Sequence, residues 1–190
     1  MSVADVFARI KSALDSAGVA YMLSGSFASA SYGAPRSTQD IDFVIAATPS
    51  QLRALLQGLP SDEYYVDLDA ALEAHKRQSL FNVIDLATGW KIDFITRKSR
   101  AFSEEEFRRR RPVEVEGNSL FIATAEDVII AKMEWSKLGQ SQRQIEDVAA
   151  ILRVRGDSLD RGYLEKWISE LGLERQWDDA RLATGLTGPI

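Results

Sequence analysis

The chain has 190 residues, of which 45% are hydrophobic and 27% charged, so it is long enough for a hydrophobic core and is neither disordered nor fibrous. The absence of cysteine excludes disulfides and thiolate metal sites, and the formal net charge of −5 argues against indiscriminate polyanion binding. No run of about 18 apolar residues occurs, and residues 1–5 lack the features of a signal peptide. We therefore expect a cytoplasmic protein with no membrane span.

The predicted secondary structure changes character near residue 123. In chain order, the elements before it are a helix over 3–17, a strand over 19–23, a short helix over 27–32 capped by Ser26, a strand over 38–46, helices over 51–57 and 67–78, and strands over 80–86 and 90–96. An Ala-Thr-Gly sequence between the last two strands indicates a hairpin. The later elements are all helices, over 126–138, 142–155, 160–171 and 174–182. The pattern favours an α+β fold with a mixed α/β sheet in 1–122 and a helical C-terminal part in 123–190, packed on that core.

Asp40 and Asp42 lie two residues apart on a predicted strand, so their side chains point to the same face of the sheet. Two neighbouring carboxylates repel each other, which a folded protein tolerates mainly when a cation lies between them. Asp93, on a later predicted strand, would complete a cluster of three carboxylates for one or two Mg²⁺ ions, as in phosphoryl or nucleotidyl transfer. Asp67 and Asp69 have the same spacing, but they open a predicted helix, so we assign them to N-terminal capping.

The turn before these carboxylates carries Gly25 and Ser26, between a predicted strand and a predicted helix. Free backbone N–H groups and the positive end of the helix dipole at such a turn suit the phosphates of a nucleotide. Arg36 and Arg53 would add positive charge there, and a plain surface role for Arg36 stays open. The turn and the carboxylates together predict a site for a nucleoside triphosphate (NTP) and its metal ions.

In combination, the Gly25-Ser26 turn, the segment Arg36-Ser37-Thr38-Gln39-Asp40-Ile41-Asp42 and the later Asp93 resemble the motifs of the nucleotidyltransferase superfamily that includes DNA polymerase beta. The resemblance covers roughly residues 19–96. It implies a polymerase-beta-like core in which the Gly-Ser turn binds phosphates. It also implies that Asp40, Asp42 and Asp93 are catalytic and hold two Mg²⁺ ions.

Residues 124–135 and 140–148 are similar to the C-terminal motifs of the AbiEii-type group, the nucleotidyltransferase toxins of type IV toxin–antitoxin systems. This resemblance implies that Lys132 and Asp147 face the nucleotide, that tRNA is a candidate acceptor, and that an antitoxin-like protein is a candidate partner. The residue chemistry agrees, since a lysine can reach a triphosphate and an aspartate can position it. Two simpler roles stay open: Lys132 on a solvated helix face, and Asp147 in a surface ion pair with Arg143.

Four arginines at 108–111 follow three glutamates at 104–106 on a short predicted helix. The helix macrodipole favours that order, and the alternative is a phosphate-contact patch for an RNA acceptor. The single histidine, His75, leaves no His-based metal site and no Ser-His-Asp triad. Three tryptophans in the helical part are assigned to packing, with base stacking as the minority option: Trp135, Trp167 and Trp177.

These observations favour a Mg²⁺-dependent nucleotidyltransferase that moves a nucleoside monophosphate (NMP) from an NTP to a hydroxyl and releases pyrophosphate. The acceptor stays open among tRNA or another RNA, a protein hydroxyl and a small antibiotic. The main alternative is a catalytically silent NTP-binding or regulatory module of a two-component toxin–antitoxin-like system, against which three mutually repelling carboxylates argue. A metal-dependent phosphohydrolase ranks last, because such enzymes usually need more histidine ligands than one.

Overall fold

The computed structural model describes residues 2–185, which divide into two compact units. Within this range the first unit contains the chain up to Phe27 together with Ser37–Ala123. The second contains Ala28–Arg36 together with the chain from Thr124 onward. Segment 28–36, which the sequence analysis placed in the first domain, thus groups with the C-terminal helices.

The first unit contains both helices and strands. In chain order they are α1 (Val3–Ser16), β1 (Ala20–Leu23), α2 (Gly25–Ala30, whose last three residues belong to the second unit), β2 (Asp40–Ala46), α3 (Pro49–Gln57), β3 (Tyr64–Tyr65), α4 (Leu68–Lys76), β4 (Leu80–Asp85), β5 (Lys91–Thr96), α5 (Ala101–Arg109), β6 (Arg111–Val115) and β7 (Asn118–Ile122). The N-termini of two of these helices are capped by side chains that lie close by in the sequence. Ser2 and Asp5 form a capping box at the start of α1, and Asp67 accepts a hydrogen bond from the N–H of Ala70 at the start of α4.

The seven described strands form one mixed sheet in the order β3-β4-β5-β2-β1-β7-β6. Strand β2 lies between β1, to which it is antiparallel, and β5, to which it is parallel. Strands β4 and β5 form an antiparallel pair across the predicted hairpin turn, and β6 pairs in the same way with β7. The middle of the sheet is therefore the β5-β2-β1 group.

The side chains on one face of strand β2 anchor the strand in the hydrophobic core. Ile41, Phe43 and Ile45 are fully buried. The Phe43 ring makes edge contacts with Phe7 of α1 and Tyr21 of β1, at centroid distances of 6.3 and 5.6 Å. Burial of each such side chain stabilises the fold by about 1.5–3 kcal/mol. This side of β2 is fixed against the core, so the residues between the buried ones are held on the opposite face.

The second unit is helical. Its later elements are α6 (Ala125–Gly139), α7 (Gln142–Arg155), a 3₁₀ turn (Gly156–Ser158), α8 (Arg161–Leu171) and α9 (Glu174–Thr184). Helix α7 packs on both α6 and α9. Buried Asp127 accepts hydrogen bonds of 2.6 Å from the hydroxyls of Thr124 and Tyr163, which link the start of α6 to α8. No helix in the described part of the chain is long and apolar enough to cross a membrane.

The mixed sheet and the helical C-terminal elements confirm the predicted fold class, and several local predictions are wrong. Helix α2 starts at Gly25, so Ser26 lies inside it and does not cap it. Helix α5 ends at Arg109 and Arg111 begins β6, so the four arginines do not share one helix. Trp135 is 48% exposed and is not a core residue, whereas Trp167 is buried.

Candidate active site

The parallel pairing of β2 with β5 places the predicted metal ligands side by side. In the register of these strands Asp42 is opposite Asp93, and Asp40 is opposite Lys91. Paired residues on adjacent strands share a face, and residues two apart on one strand do as well. The three carboxylates therefore lie on one face of the sheet, opposite the buried side of β2.

A lysine and an asparagine on the same face contact these carboxylates. The Lys91 ammonium lies 3.2 Å from Oδ1 of Asp40 and 3.1 Å from Oδ2 of Asp93. The side-chain amide of Asn82, on β4, donates a hydrogen bond to Oδ1 of Asp93. Partial burial of Lys91 favours its neutral form, but the hydrogen bonds to Asp93 and Asp40 outweigh burial and raise the pKa of the ammonium above its ordinary value. Lys91 is thus a cation held between two of the three acids.

The Gly25 turn approaches the third acid closely. The backbone N–H of Ser24 donates a 2.9 Å hydrogen bond to the carbonyl of Asp42. Gly25 has a φ of +59°, and a Cβ atom at this position would lie 1.9 Å from Oδ2 of Asp42. Ser26 follows with only 4% of its surface exposed. Only glycine fits here, because any side chain would both strain the backbone and displace the carboxylate.

A divalent metal ion is the group that the sequence motifs imply, and the donor chemistry fits it. Three carboxylates on adjacent strands offer the oxygen ligands that Mg²⁺ prefers, and glycine at position 25 lets the turn approach Asp42 without displacing its carboxylate. The Lys91 ammonium already marks a position where a cation lies close to Asp40 and Asp93. In their observed positions, no three His, Cys, Asp or Glu side chains of residues 2–185 are arranged to coordinate one ion. Metal ligation by Asp40, Asp42 and Asp93 stays a prediction.

A second polar cluster lies within the helical unit. Lys132, on α6, is only 3% exposed, and its ammonium donates hydrogen bonds to Oδ2 of Asp147 (2.7 Å) and to Oε1 of Gln144 (3.1 Å). The Arg36 Nε atom lies 3.2 Å from the same oxygen of Asp147. Lys132 is therefore not on a solvated face, and Asp147 pairs with Lys132 and Arg36. One carboxylate on α7 positions two cations.

The sequence analysis missed three residues of these clusters: Lys91, Asn82 and Gln144. Lys91 precedes Asp93 by two residues on the same strand, so the strand period alone would have placed it on the carboxylate face. Gln144 precedes Asp147 by three residues on one helix, a spacing that also brings side chains together. Asn82 is different, because its position opposite Asp93 depends on the β4–β5 register.

The mixed sheet and the helices that accompany it have the fold of known nucleotidyltransferase structures. Among solved structures with this fold, the antibiotic-resistance factor ANT(2'')-Ia in solution has a TM-score of 0.55 at 12% identity, over 94% of this chain and 95% of that one. Its crystal structure in complex with adenylyl-2''-tobramycin has a TM-score of 0.57 at 12% identity, over 93% and 99%. An antigenic nucleotidyltransferase-like protein from Paracoccidioides brasiliensis has a TM-score of 0.50 at 16% identity, over 90% and 87%.

Sequence comparison adds nothing to this structural similarity. No family model matches the chain, and no curated protein matches it. At 12–16% identity the structural similarity establishes the fold alone. Function has to be argued from the site itself.

Proposed function

We propose that this protein is a Mg²⁺-dependent nucleotidyltransferase that moves an NMP from an NTP to a hydroxyl acceptor and releases pyrophosphate. The observation that carries the proposal is the register of β2 with β5, which places Asp42 opposite Asp93 beside the glycine turn. Lys91 offsets part of the repulsion between Asp40 and Asp93, and a divalent ion is the group whose charge and preference for oxygen ligands match all three carboxylates.

In this proposal Asp40, Asp42 and Asp93 hold the metal, which would neutralise charge on the reacting phosphate and lower the pKa of the attacking hydroxyl. Asp93 also orients the acceptor hydroxyl and accepts its proton. The acceptor oxygen forms a bond to the α-phosphorus as the bond from that phosphorus to the pyrophosphate oxygen breaks. The proton remains on Asp93 until solvent removes it, so the product is the NMP ester of the acceptor together with pyrophosphate.

Two groups are proposed to bind the phosphates. The backbone N–H groups of Gly25 and Ser26 lie at the start of α2, where the positive end of the helix dipole suits phosphate oxygens. Lys132 and Arg36 contribute positive charge, with Asp147 fixing the direction of both side chains. Truncation of either cation should weaken NTP binding more than it changes the rate of the chemical step.

The proposed acceptor is a hydroxyl of tRNA or another RNA, or of a small cationic polyol. The RNA proposal rests on the resemblance of residues 124–135 and 140–148 to the AbiEii-type motifs. It also rests on the arginines at 108–111, whose positive charge suits the phosphates of RNA. Local contacts also involve this run, since Arg108 pairs with Glu105 at 2.7 Å and Arg110 donates to the carbonyl of Phe107. The small-polyol proposal rests on the fold shared with ANT(2'')-Ia and on the net charge of −5, which attracts cationic substrates.

The first experiment is calorimetry of each of the four NTPs, with and without Mg²⁺, on the wild type and on the Asp40→Ala/Asp42→Ala double variant. Asp62→Ala/Asp69→Ala is the matched control, because it removes two exposed carboxylates from the same unit. We expect Mg²⁺-dependent binding that is lost in the first double variant and retained in the control. Absence of NTP binding by the folded wild type would overturn the proposal.

A transfer assay then separates the acceptors. Labelled NTP is incubated with total tRNA, with aminoglycosides and with the protein alone, and the label is followed into each product. Transfer that is lost in Asp93→Asn supports the mechanism. Binding of NTP without transfer to any acceptor would instead favour the silent module, and capture of an antitoxin-like partner in the presence of NTP would then be measured.

A further inference from the structure

Lys91 lies where a metal ion would have to approach the carboxylates. Its ammonium is 3.2 Å from Oδ1 of Asp40 and 3.1 Å from Oδ2 of Asp93, and it is the only described cation with ion pairs to both. A divalent ion bound to the same two oxygens would be about 2.1 Å from each. The ion and the ammonium would therefore occupy overlapping space, and both cannot be present at once.

The other oxygen of Asp93 offers no easy alternative. The amide of Asn82 donates to Oδ1, so each oxygen of this carboxylate already has a donor. Asn82 is neutral and can stay near a metal ion without electrostatic cost. Lys91 is charged, and a positive charge about 3 Å from a divalent ion is strongly repelled. Of the two donors, Lys91 is the one that metal binding would displace.

The side chain of Lys91 is able to leave. It is 41% exposed, and its four-carbon stem carries the ammonium on rotatable bonds. While it remains, it offsets the mutual repulsion of acids that the strand register forces together.

We propose that Lys91 is a built-in competitor for the metal site: it holds Asp40 and Asp93 in place in the metal-free protein and is exchanged for the divalent ion on loading. This inference rests on the proposed metal site and adds a positioning residue that sets its affinity. It follows that metal binding in the absence of nucleotide is weaker than three carboxylates alone would give.

The test measures Mn²⁺ binding by electron paramagnetic resonance, without nucleotide, on the wild type and on Lys91→Met, which keeps the length of the side chain and removes the charge. Lys91→Arg keeps the charge, and Lys11→Met removes a lysine–aspartate pair at 2.6 Å elsewhere in the same unit. Lys91→Met should bind Mn²⁺ about tenfold more tightly than the wild type, because the competing charge is gone. Lys91→Arg and Lys11→Met should match the wild type.

Thermal unfolding provides the second measurement. In the presence of a metal chelator, Lys91→Met should have a lower melting temperature than the wild type. Addition of Mn²⁺ should raise the melting temperature of Lys91→Met by more than it raises that of the wild type. Affinity of Lys91→Met equal to or weaker than that of the wild type overturns the inference. If Asp42→Asn loses Mn²⁺ binding but Lys91→Met binds as the wild type does, the metal site stands and the role of Lys91 as a competitor is wrong. If neither the wild type nor Lys91→Met binds Mn²⁺, the proposed metal site is wrong as well.

Discussion

Replacement of Gly25 by alanine tests the close approach of the turn to Asp42. The added Cβ would lie 1.9 Å from Oδ2, 2.5 Å from Cγ and 2.9 Å from Cβ of Asp42. Rotation of the Asp42 side chain moves the carboxylate away but leaves its own Cβ in place, so the clash is not fully relieved. The backbone must shift as well, and with it the start of α2.

Two contributions set the expected size of the effect. A left-handed backbone costs a non-glycine residue about 1–2 kcal/mol, and overpacking in a filled space adds about 1–3 kcal/mol. We expect Gly25→Ala to lower the free energy of unfolding by about 2–5 kcal/mol. Gly89→Ala is the matched control, because Gly89 has a φ of +74° and nothing within 4 Å of its added Cβ. Gly89→Ala should lower the free energy of unfolding only by the cost of the left-handed backbone, about 1–2 kcal/mol.

Urea denaturation of the two variants and the wild type measures both losses, and NTP calorimetry on the same samples measures the site. The difference between Gly25→Ala and Gly89→Ala isolates the clash with Asp42. NTP binding should be lost in Gly25→Ala and kept in Gly89→Ala. Equal losses of stability, or normal NTP binding by Gly25→Ala, would refute the claim that the turn and the carboxylate are packed in contact.

Two further predictions concern charge and pH. Asp147→Asn should destabilise the fold by about 3 kcal/mol in urea denaturation, because it leaves the buried Lys132 and its neighbour Arg36 without their shared carboxylate. Asp179→Asn, in an exposed ion pair, should change stability by less than about 1 kcal/mol. Burial raises the pKa of the Tyr21 hydroxyl, so its contribution to stability is complete below about pH 10 and is lost as pH rises through the raised value. Tyr21→Phe should therefore lose less stability between about pH 9 and pH 11 than the wild type.

Each of these two predictions would be contradicted by a specific result. Equal losses in Asp147→Asn and Asp179→Asn would mean that the buried cluster contributes no more than a surface pair. For Tyr21, phenolate absorbance followed against pH should include a component that ionises above the usual range of a tyrosine, and this component should be missing in Tyr21→Phe. An unchanged titration curve would contradict the buried position of the hydroxyl.

Local patterns in the sequence predicted most of the regular structure. Strand β2, helix α1 and the hairpin of β4 with β5 follow from side-chain period and turn residues that lie within a few positions of one another. Strands β6 and β7 were not predicted. Strand β6 is at the edge of the sheet, begins with exposed Arg111 and Pro112, and buries little of its length, so it lacks the apolar signal of a central strand.

The sequence alone determined that Asp40 and Asp42 share a face and that a glycine turn precedes them, because both depend on local geometry. It did not determine which residues meet across the sheet. The pairing of Asp42 with Asp93 and the place of Lys91 between Asp40 and Asp93 depend on the parallel register of β2 with β5, whose residues are about 50 positions apart. Such a register is selected by the packing of the whole core, so only the tertiary structure could decide it.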